Sequence, residues 1–396
     1  MRIGIDGRYI QDQYHGVGRY TFETTRELAR NYPEHQLIVF FNPAYPNSRF
    51  NLETLKTYPN VTLIETHLGL FWPQQQLIWP WLLRRHTIDL FHTPFFDAPL
   101  LAPCPVVVTI HDLIFDRYPE YMPHRHFRLY YRLMMRLSLR QAAHIMTISE
   151  ATKRDLVELY AVKSEKITVT PAAVAAEYRP IPVRQTEEIR ARYNLPSRFV
   201  LTVGTRRPHK NVATLVKAFA RIAPDTDAAL VLAGKADPRW PDDVAPLIER
   251  FNLHGRIIQP GHIAEADMPA LYALADVFAF PSLVEGFGLP PLEAMACGTA
   301  VVVGNTSSLP EVVGEAGILV APDDVTTLSR ALLVTLKSRG YREKLERQSL
   351  SRAVHFTWQQ TARLTMEVYQ AARDGQPILG HNEVLSAAPF QQELSQ

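Results

Sequence analysis

Short apolar runs rich in β-branched residues alternate along this chain with segments of helical period. The first series of runs is Ile3–Ile5, Leu37–Phe41, Val61–Ile64, Leu90–His92, Val106–Ile110, Ile145–Ile148 and Ile167–Thr170. The second is Phe199–Val203, Ala229–Ala233, Ile257–Gln259, Val277–Phe280, Ala300–Val303 and Gly317–Val320. The runs are continuous rather than alternating apolar and polar, as expected of parallel strands covered on both faces. Strand and helix in strict succession predict βαβ units. The series restarts after Tyr178-Arg179-Pro180-Ile181-Pro182, a proline-bearing stretch suited to an extended linker. The prediction is therefore an α/β protein of two Rossmann-like parallel-sheet domains facing a cleft, with residues 1–180 in the first and 181–356 in the second. Ligands are expected outside the carboxyl ends of the strands. A last helical stretch covers 357–373, and the aperiodic tail 374–396 is expected to be mobile.

A length of 396 residues accommodates two domains. Hydrophobic content of 46% and charged content of 21% are those of a globular protein in water. A net charge of +2 argues against a general nucleic-acid binder. The two cysteines, Cys104 and Cys297, supply neither a disulfide framework nor metal-ligand spacing, which fits a reducing cytoplasm. Met1-Arg2-Ile3-Gly4-Ile5-Asp6 reads as a first strand and lacks the apolar core of a signal peptide. No run approaches the ~20 apolar residues of a membrane span.

Candidate chemistry gathers at the predicted strand ends. Pro281-Ser282-Leu283-Val284-Glu285-Gly286-Phe287-Gly288-Leu289-Pro290-Pro291-Leu292-Glu293 sets two carboxylates on either side of a glycine turn and a helix start. Glycine lets backbone amides approach a ligand, and the prolines suit a first helical turn. Free amides and the positive end of a helix dipole favour anionic or hydroxyl-rich ligands. Val203-Gly204-Thr205-Arg206-Arg207-Pro208-His209-Lys210-Asn211 follows a strand and brings three cations, a sensible clamp for a diphosphate. Gly16-Val17-Gly18 precedes a helix and can present amides to a phosphate or sugar, or form a simple tight turn. Without a third glycine and a downstream acid it is not a dinucleotide fingerprint. Val106–Ile110 runs into His111-Asp112, and Leu90-Phe91 into His92; both histidines are candidates for a cleft, His92 in the second rank. No Asp-x-Asp pair stands at a plausible strand end and no His/Cys cluster marks a metal site.

The string from Glu285 to Glu293 resembles the Glu-x7-Glu signature of retaining, nucleotide-sugar-dependent glycosyltransferases of family 4, which have the GT-B fold. The ordered resemblance runs from about residue 1 to 372 and is more specific in the second domain. It implies a nucleotide-diphosphate sugar as co-substrate, no cofactor and no essential metal. It implies that Lys210 and Arg206 hold the diphosphate, Glu293 the ribose hydroxyls, and Glu285 the sugar hydroxyls with amides of Phe287, Gly288 and Leu289. His111 would line the sugar near the reacting carbon, and Gly16 and Gly18 would approach phosphates or acceptor. Gly204 and Gly234 end strands beside the donor, and the backbone of Gly261-His262-Ile263 would read the base. The terminal helix would return to the first domain. Implied chemistry is front-face substitution, with closure excluding water. Two departures stand out. His209 replaces a common arginine and Arg207 a common acid, and Thr170-Pro171-Ala172-Ala173-Val174-Ala175 stands where many relatives carry Asn-Gly-Val-Asp.

The resemblance leaves the donor open between GDP-mannose and a UDP-hexose. The acceptor expected is a growing polysaccharide or a lipid-linked saccharide. Two other classes remain open at this point, a nucleotide-sugar epimerase of the same fold and a non-catalytic sugar-nucleotide-binding scaffold. From Tyr121 to Ala143, Arg125, Arg128, Arg132, Arg136 and Arg140 recur at helical spacing among apolar residues with no acid. Such a helix either packs with a solvated arginine face or makes peripheral contact with an anionic membrane. The aromatic run from Phe71-Trp72-Pro73 to Trp79-Pro80-Trp81 is equally open between core packing and an acceptor rim.

Overall fold

A computed structural model describes residues 1–122 and 125–376. The chain forms two compact units. One holds Met1–Ala173 with the helix Trp358–Asp374, the other Val174–Phe356. Tyr178 and the prolines after it belong to the second unit, where the Tyr178 hydroxyl donates to Glu265 at 3.1 Å.

The sheet of the first unit contains β1 (Arg2–Asp6), β2 (Gln36–Phe41), β3 (Val61–Glu65), β4 (Leu90–Thr93), β5 (Val106–Ile110), β6 (His144–Thr147) and β7 (Ile167–Val169). All neighbours are parallel, in the order β3-β2-β1-β4-β5-β6-β7. Alternate residues of β2 enter opposite cores, as strand geometry requires. Ile38 and Phe40 join Trp79, Leu83, Met134 and Met135 from the helices Gln75–Arg85 and Arg125–Gln141. Leu37 and Val39 join Leu28, Met366 and Tyr369 from the helices His15–Asn31 and Trp358–Asp374. The continuous apolar runs of the sequence are explained by this two-sided burial.

The second sheet contains β8 (Phe199–Val203), β9 (Ala229–Ala233), β10 (Ile257–Gly261), β11 (Val277–Phe280), β12 (Val301–Gly304) and β13 (Ile318–Val320). It is also wholly parallel, in the order β10-β9-β8-β11-β12-β13. All thirteen predicted runs are strands, within a residue or two at their ends. Both sheets have the doubly wound architecture expected.

The helix Trp358–Asp374 is fastened to the first unit by polar contacts as well as apolar ones. Thr357 caps it by accepting from the amide of Gln360, and Gly375 closes it at φ 65°. Thr361 Oγ1 donates to the carbonyl of Pro171 at 2.6 Å. The Tyr369 hydroxyl meets His92 Nδ1 at 2.7 Å, while His92 Nε2 meets Thr109 Oγ1 at 2.8 Å. His92 is therefore a satisfied core residue and not a cleft residue; its strand end carries the ring inward to the helix. The expectation for the tail concerns residues that lie, beyond Gln376, outside the described part of the chain.

Burial fixes the protonation of these histidines. It pushes His92 down to about 3, and His144, whose Nε2 meets Thr168 Oγ1 at 2.9 Å, down to about 4. Above pH 6.5 both folded and unfolded chains hold them neutral. Below it the unfolded chain binds protons that the folded chain refuses until about pH 4. Stability should therefore fall as pH drops through that window, by about 1.4 kcal/mol per pH unit for each such histidine. Denaturant melts between pH 7 and 4.5 check this, and His144→Gln should flatten the slope by one proton.

Candidate active site

Each sheet reverses its strand order once, between β1 and β4 in the first unit and between β8 and β11 in the second. Loops leaving adjacent strands at such a point diverge to opposite faces and open a crevice between them. In the second unit those loops carry Lys210 and Glu285.

The loop after β8 begins at Gly204, with φ 144°, and ends in a short 3-10 turn, Pro208–Lys210. Asn211 follows in the left-handed region at φ 55°. Its side-chain amide donates to the carbonyls of Pro281 at 3.0 Å and Pro322 at 2.6 Å. The His209 carbonyl accepts from the Leu283 amide at 2.7 Å and from Ser282 Oγ at 2.8 Å. These bonds lock the β8 loop onto the loop after β11. Lys210 Nζ then lies 2.7 and 3.0 Å from the two oxygens of Glu285, and 4.9 Å from the centre of the Phe280 ring. The lysine side chain is 19% exposed and the glutamate 10%. Both side chains are largely shielded from water, so each charge is favoured by having the other beside it.

Glu285 is held from three further directions. Its Oε1 accepts from Ser282 Oγ at 2.5 Å, its amide donates to Ser307 Oγ at 2.9 Å, and its carbonyl accepts from Ser308 Oγ at 3.0 Å. Ser308 also donates to the Phe287 carbonyl at 2.7 Å. Gly288 caps the helix Leu289–Ala296 at φ 111°, where a Cβ would come within 2.8 Å of Leu309 Cδ2. Among the described residues the amides of Phe287, Gly288 and Leu289 have no hydrogen-bond partner. They form an open helix N-terminus beside the Lys210–Glu285 pair. Glu293 lies within this helix, buried, and its Oε2 accepts from the Tyr272 hydroxyl at 2.8 Å. Burial, and then Glu293, push the Tyr272 phenol well above its ordinary range, so it stays a donor.

Three glycines end the neighbouring strands. The Gly204 amide donates to the Ala233 carbonyl at 3.0 Å, and the Gly234 amide to the Gly261 carbonyl at 2.9 Å. A Cβ on Gly234 would lie 2.3 Å from the Gly204 carbonyl oxygen, and its φ is 115°. Gly261 has φ 77°; His262 after it is exposed and Ile263 buried. The cations of the β8 loop divide into two kinds. Arg207 Nε donates to Asp237 at 3.0 Å, and that carboxyl is held well below its usual range by Arg239 first and Arg207 after it. Arg206 has no carboxylate partner among the described residues; its Nη1 donates to the neutral side chain of Gln259. His209 is pushed down to about 4 by burial and by Lys210 and carries no charge at pH 7. Arg206 and Lys210 thus remain the loop's cations for an anion.

In the first unit, His111 follows β5 and is 7% exposed. Its Nε2 is buried with no hydrogen-bond partner, and the Tyr20 ring meets it edge-on at 5.1 Å. Burial pushes it down to about 4, against a hydrogen bond to the Pro94 backbone, so it is neutral at pH 7. Asp112 caps the following turn by accepting from the Ile114 amide at 3.1 Å. Gly16 and Gly18 sit inside the first turn of the helix His15–Asn31 rather than before it. Gly16 faces open space, whereas a Cβ on Gly18 would come within 2.8 Å of the Tyr9 carbonyl oxygen, so packing alone requires that glycine.

The serines that orient Glu285 escaped sequence reasoning, as did Tyr272. Ser307 and Ser308 follow the strand β12, but nothing in their spacing ties them to a carboxylate more than twenty positions away. Asn211 carried a partial signal, since asparagine is one of the few residues besides glycine that enter the left-handed region readily.

Comparison with known proteins accords with this geometry. Residues 14–178 match the family described as Glycosyltransferase Family 4, and residues 185–372 match Glycosyl transferases group 1. O-antigen chain mannosyltransferase B of Escherichia coli is 31% identical over 387 residues, covering 93% of this chain and 100% of that protein. The Escherichia coli serotype-specific mannosyltransferase WbdA is 27% identical over 403 residues, covering 92% of this chain and 47% of that protein. Among solved structures, sucrose-phosphate synthase of Thermosynechococcus elongatus superposes with a TM-score of 0.73 at 22% identity, covering 93% of this chain and 98% of that one. Anabaena HepE, solved with UDP-glucose, gives 0.73 at 19%, covering 94% and 100%. The fold is GT-B. The chain belongs to the family 4 glycosyltransferases and is a glycosyltransferase.

Gly234→Ala should destabilise the second unit by about 2 kcal/mol or more, since it adds both a backbone clash and left-handed strain. Chemical denaturation would show it, and a change within ±0.5 kcal/mol would contradict the packing described.

Proposed function

We propose that this chain is a retaining hexosyltransferase that moves a hexose from a nucleotide-diphosphate sugar to a saccharide or lipid-linked saccharide in cell-surface polysaccharide synthesis. The observation that carries the reading is the Lys210–Glu285 pair at the switch point, flanked by Arg206 and by unpartnered amides. GDP-mannose is the foremost donor, with a UDP-hexose second. The mannosyltransferase names of the relatives support this order.

In the proposed reaction the bond between the sugar C1 and the phosphate oxygen breaks, and its electron pair stays on the phosphate. The acceptor hydroxyl oxygen bonds to C1 from the same face and gives its proton to the departing phosphate oxygen. The products are a glycoside of retained configuration and a nucleoside diphosphate. Negative charge grows on the leaving group, so fixed donors there lower the barrier. Lys210, Arg206 and the amides of Phe287, Gly288 and Leu289 supply them. Glu285 fixes the ammonium and offers its carboxylate to sugar hydroxyls. Its oxygens already face Lys210 and Ser282, which disfavours it as a covalent nucleophile. Glu293 is assigned to the ribose hydroxyls. No resident metal takes part in this scheme.

Peripheral contact with an anionic membrane belongs to the same proposal. On the helix Arg125–Gln141 the outward residues include Leu129, 71% exposed, Leu133, 54% exposed, and the exposed Arg132, Arg136 and Arg140. Apolar side chains rimmed by arginines suit the interface of an anionic bilayer. No described helix is long and apolar enough to cross one.

One diphosphate among GDP, UDP, ADP and TDP should raise the melting temperature selectively, with or without magnesium. At 100 times its Kd the gain is about 2.7 kcal/mol. Lys210→Ala should lose that gain and transfer, and Glu285→Ala should lose transfer, with both variants folded; near wild-type turnover in either removes that residue from the scheme. Phosphatidylglycerol vesicles should cosediment the wild-type chain, and Arg132→Glu with Arg136→Glu should release it. Equal sedimentation of the double variant would remove the membrane contact from the proposal.

A further inference from the structure

The aromatic run between Phe71 and Trp81 divides in the structure. Trp79 is fully buried against Phe40 and Phe91. Trp72 and Trp81 are 59% and 54% exposed, and both line a pocket of about 660 Å3. The pocket lies wholly in the first unit, at the carboxyl ends of β2 and β3 and the start of the helix Gln75–Arg85. Its size falls in the roughly 300–1,000 Å3 range of small-molecule sites. A second pocket of about 580 Å3 shares Asn42 and Tyr45 with it.

Trp72 is a held platform rather than a loose side chain. A Cβ on Gly69 would touch three atoms of the Trp72 indole at 2.9–3.2 Å, so the ring lies directly against that backbone. Phe71, just before it, has φ 61°, a strained value for a bulky residue. Its ring stacks on Phe96 at 5.5 Å and meets Phe127 edge-on at 5.5 Å. Those contacts hold the strained turn and set the next side chain outward. Trp81 carries the Arg85 guanidinium on its ring at 5.1 Å. The Tyr45 hydroxyl fixes the same loop by accepting from the Leu70 amide at 2.9 Å.

The polar lining shows what could bind. The side chains of Glu65, His67 and Gln74 are exposed and have no partner among the described residues. They offer an acceptor, an imidazole and an amide beside the indole faces. Glu65 is the one formal charge among the described lining residues. Arg8 and Arg85 reach the wall, but their guanidinium groups are engaged by Asp6, Gly69 and Gln75 and by the Trp81 ring. A phosphate therefore meets a carboxylate rather than a free cation. Flat apolar faces ringed by neutral and acidic hydrogen-bonding groups suit a ligand with apolar C–H faces and many hydroxyls.

We propose that this pocket is a saccharide subsite, binding neutral hexose units of the acceptor chain away from the hydroxyl that reacts. Its place in acceptor binding rests on the transferase reading above. The chemistry commits the acceptor to a preassembled neutral oligosaccharide, and the lipid end of any carrier lies elsewhere.

The test uses the full chain with neutral tetrasaccharides of mannose, glucose and galactose, a sulfated heparin tetrasaccharide, and phosphatidylglycerol vesicles. Binding is read by tryptophan fluorescence and calorimetry, and nucleoside-diphosphate binding is read in parallel by melting temperature. At least one neutral tetrasaccharide should bind wild type. Trp72→Ala should weaken it about tenfold or more, with Trp72→Phe restoring part, because an aromatic anchor is lost and then partly replaced. All three proteins should show the same nucleotide shift. No binding by any neutral tetrasaccharide, undiminished affinity in Trp72→Ala, or Trp72-dependent binding of the sulfated sugar or vesicles instead would overturn the subsite. Loss of the nucleotide shift in wild type would count against the donor reading and leave the oligosaccharide result to decide this one.

Discussion

The ion pair between Lys210 and Glu285 is the contact that the second unit is arranged to make. Its two members come from opposite sides of a switch point, one from the loop after β8 and one from the loop after β11. Those strands are neighbours in the sheet although β9 and β10 intervene in the chain. A right-handed parallel crossover leaves little other freedom, so the adjacency is dictated by topology. Two charges this far shielded from water favour a fixed mutual placement. The surrounding bonds follow from this demand. Asn211 pins one loop to the carbonyls of Pro281 and Pro322, and the serines at 282, 307 and 308 hold the other. Removing any one loosens the placement of a charge whose value depends on being fixed in advance.

Around the pair, positive potential is selected rather than accumulated. Arg206, Arg207, His209 and Lys210 lie close together on the loop after β8, and Arg239 lies on the loop after β9. Asp237 pairs with both Arg207 and Arg239 and offsets one of their two charges, and burial keeps His209 uncharged. Lys210 is balanced by Glu285, which leaves Arg206 as the arginine of the β8 loop without a carboxylate among the described residues. The helix N-terminus at Gly288 adds donors that carry no formal charge and no side-chain entropy. An anion meeting this surface finds directed donors instead of a diffuse basic patch. Directed donors of this kind discriminate by geometry, whereas a diffuse basic patch attracts polyanions in general.

Strands and many of the helices were readable from the chain because burial on both faces leaves a local imprint, a run of β-branched residues between turn signals. Lys210, Glu285 and Glu293 were readable because each lies in a compact string with glycine and proline at fixed offsets. What escaped depends on register between distant segments. No local pattern says that Ser307 will cap the amide of Glu285, or that Tyr272 will donate to Glu293. Glycines misled for a related reason. Gly18 and Gly234 look alike in sequence, yet one avoids the Tyr9 carbonyl inside a helix and the other avoids the Gly204 carbonyl at a strand end. His92 and His111 both follow apolar runs, and only the partners decide. His92 meets two hydroxyls, whereas His111 keeps a buried nitrogen with none. A buried neutral imidazole with an unpaired nitrogen is costly unless something else meets it, which separates His111 from the satisfied His92.

The first unit answers a different chemical problem. A saccharide gives up hydrogen bonds to water for hydrogen bonds to protein, so the net gain per hydroxyl is small. Affinity then depends on surfaces that are already in place and lose little freedom on binding. The stretch around Phe71 supplies such a surface at the expense of local backbone strain. A phenylalanine at φ 61° would relax in an isolated loop, and it persists because Phe96 and Phe127 occupy its ring. Mere solvation of an aromatic would not call for that arrangement, since an exposed tryptophan could sit on an ordinary extended loop. The structure instead anchors one aromatic so that the next is presented flat against Gly69. Strain placed beside a pocket whose one charged lining residue is Glu65 is better explained by a ligand that needs a rigid neutral face than by packing, because packing would have buried Trp72 as it buried Trp79.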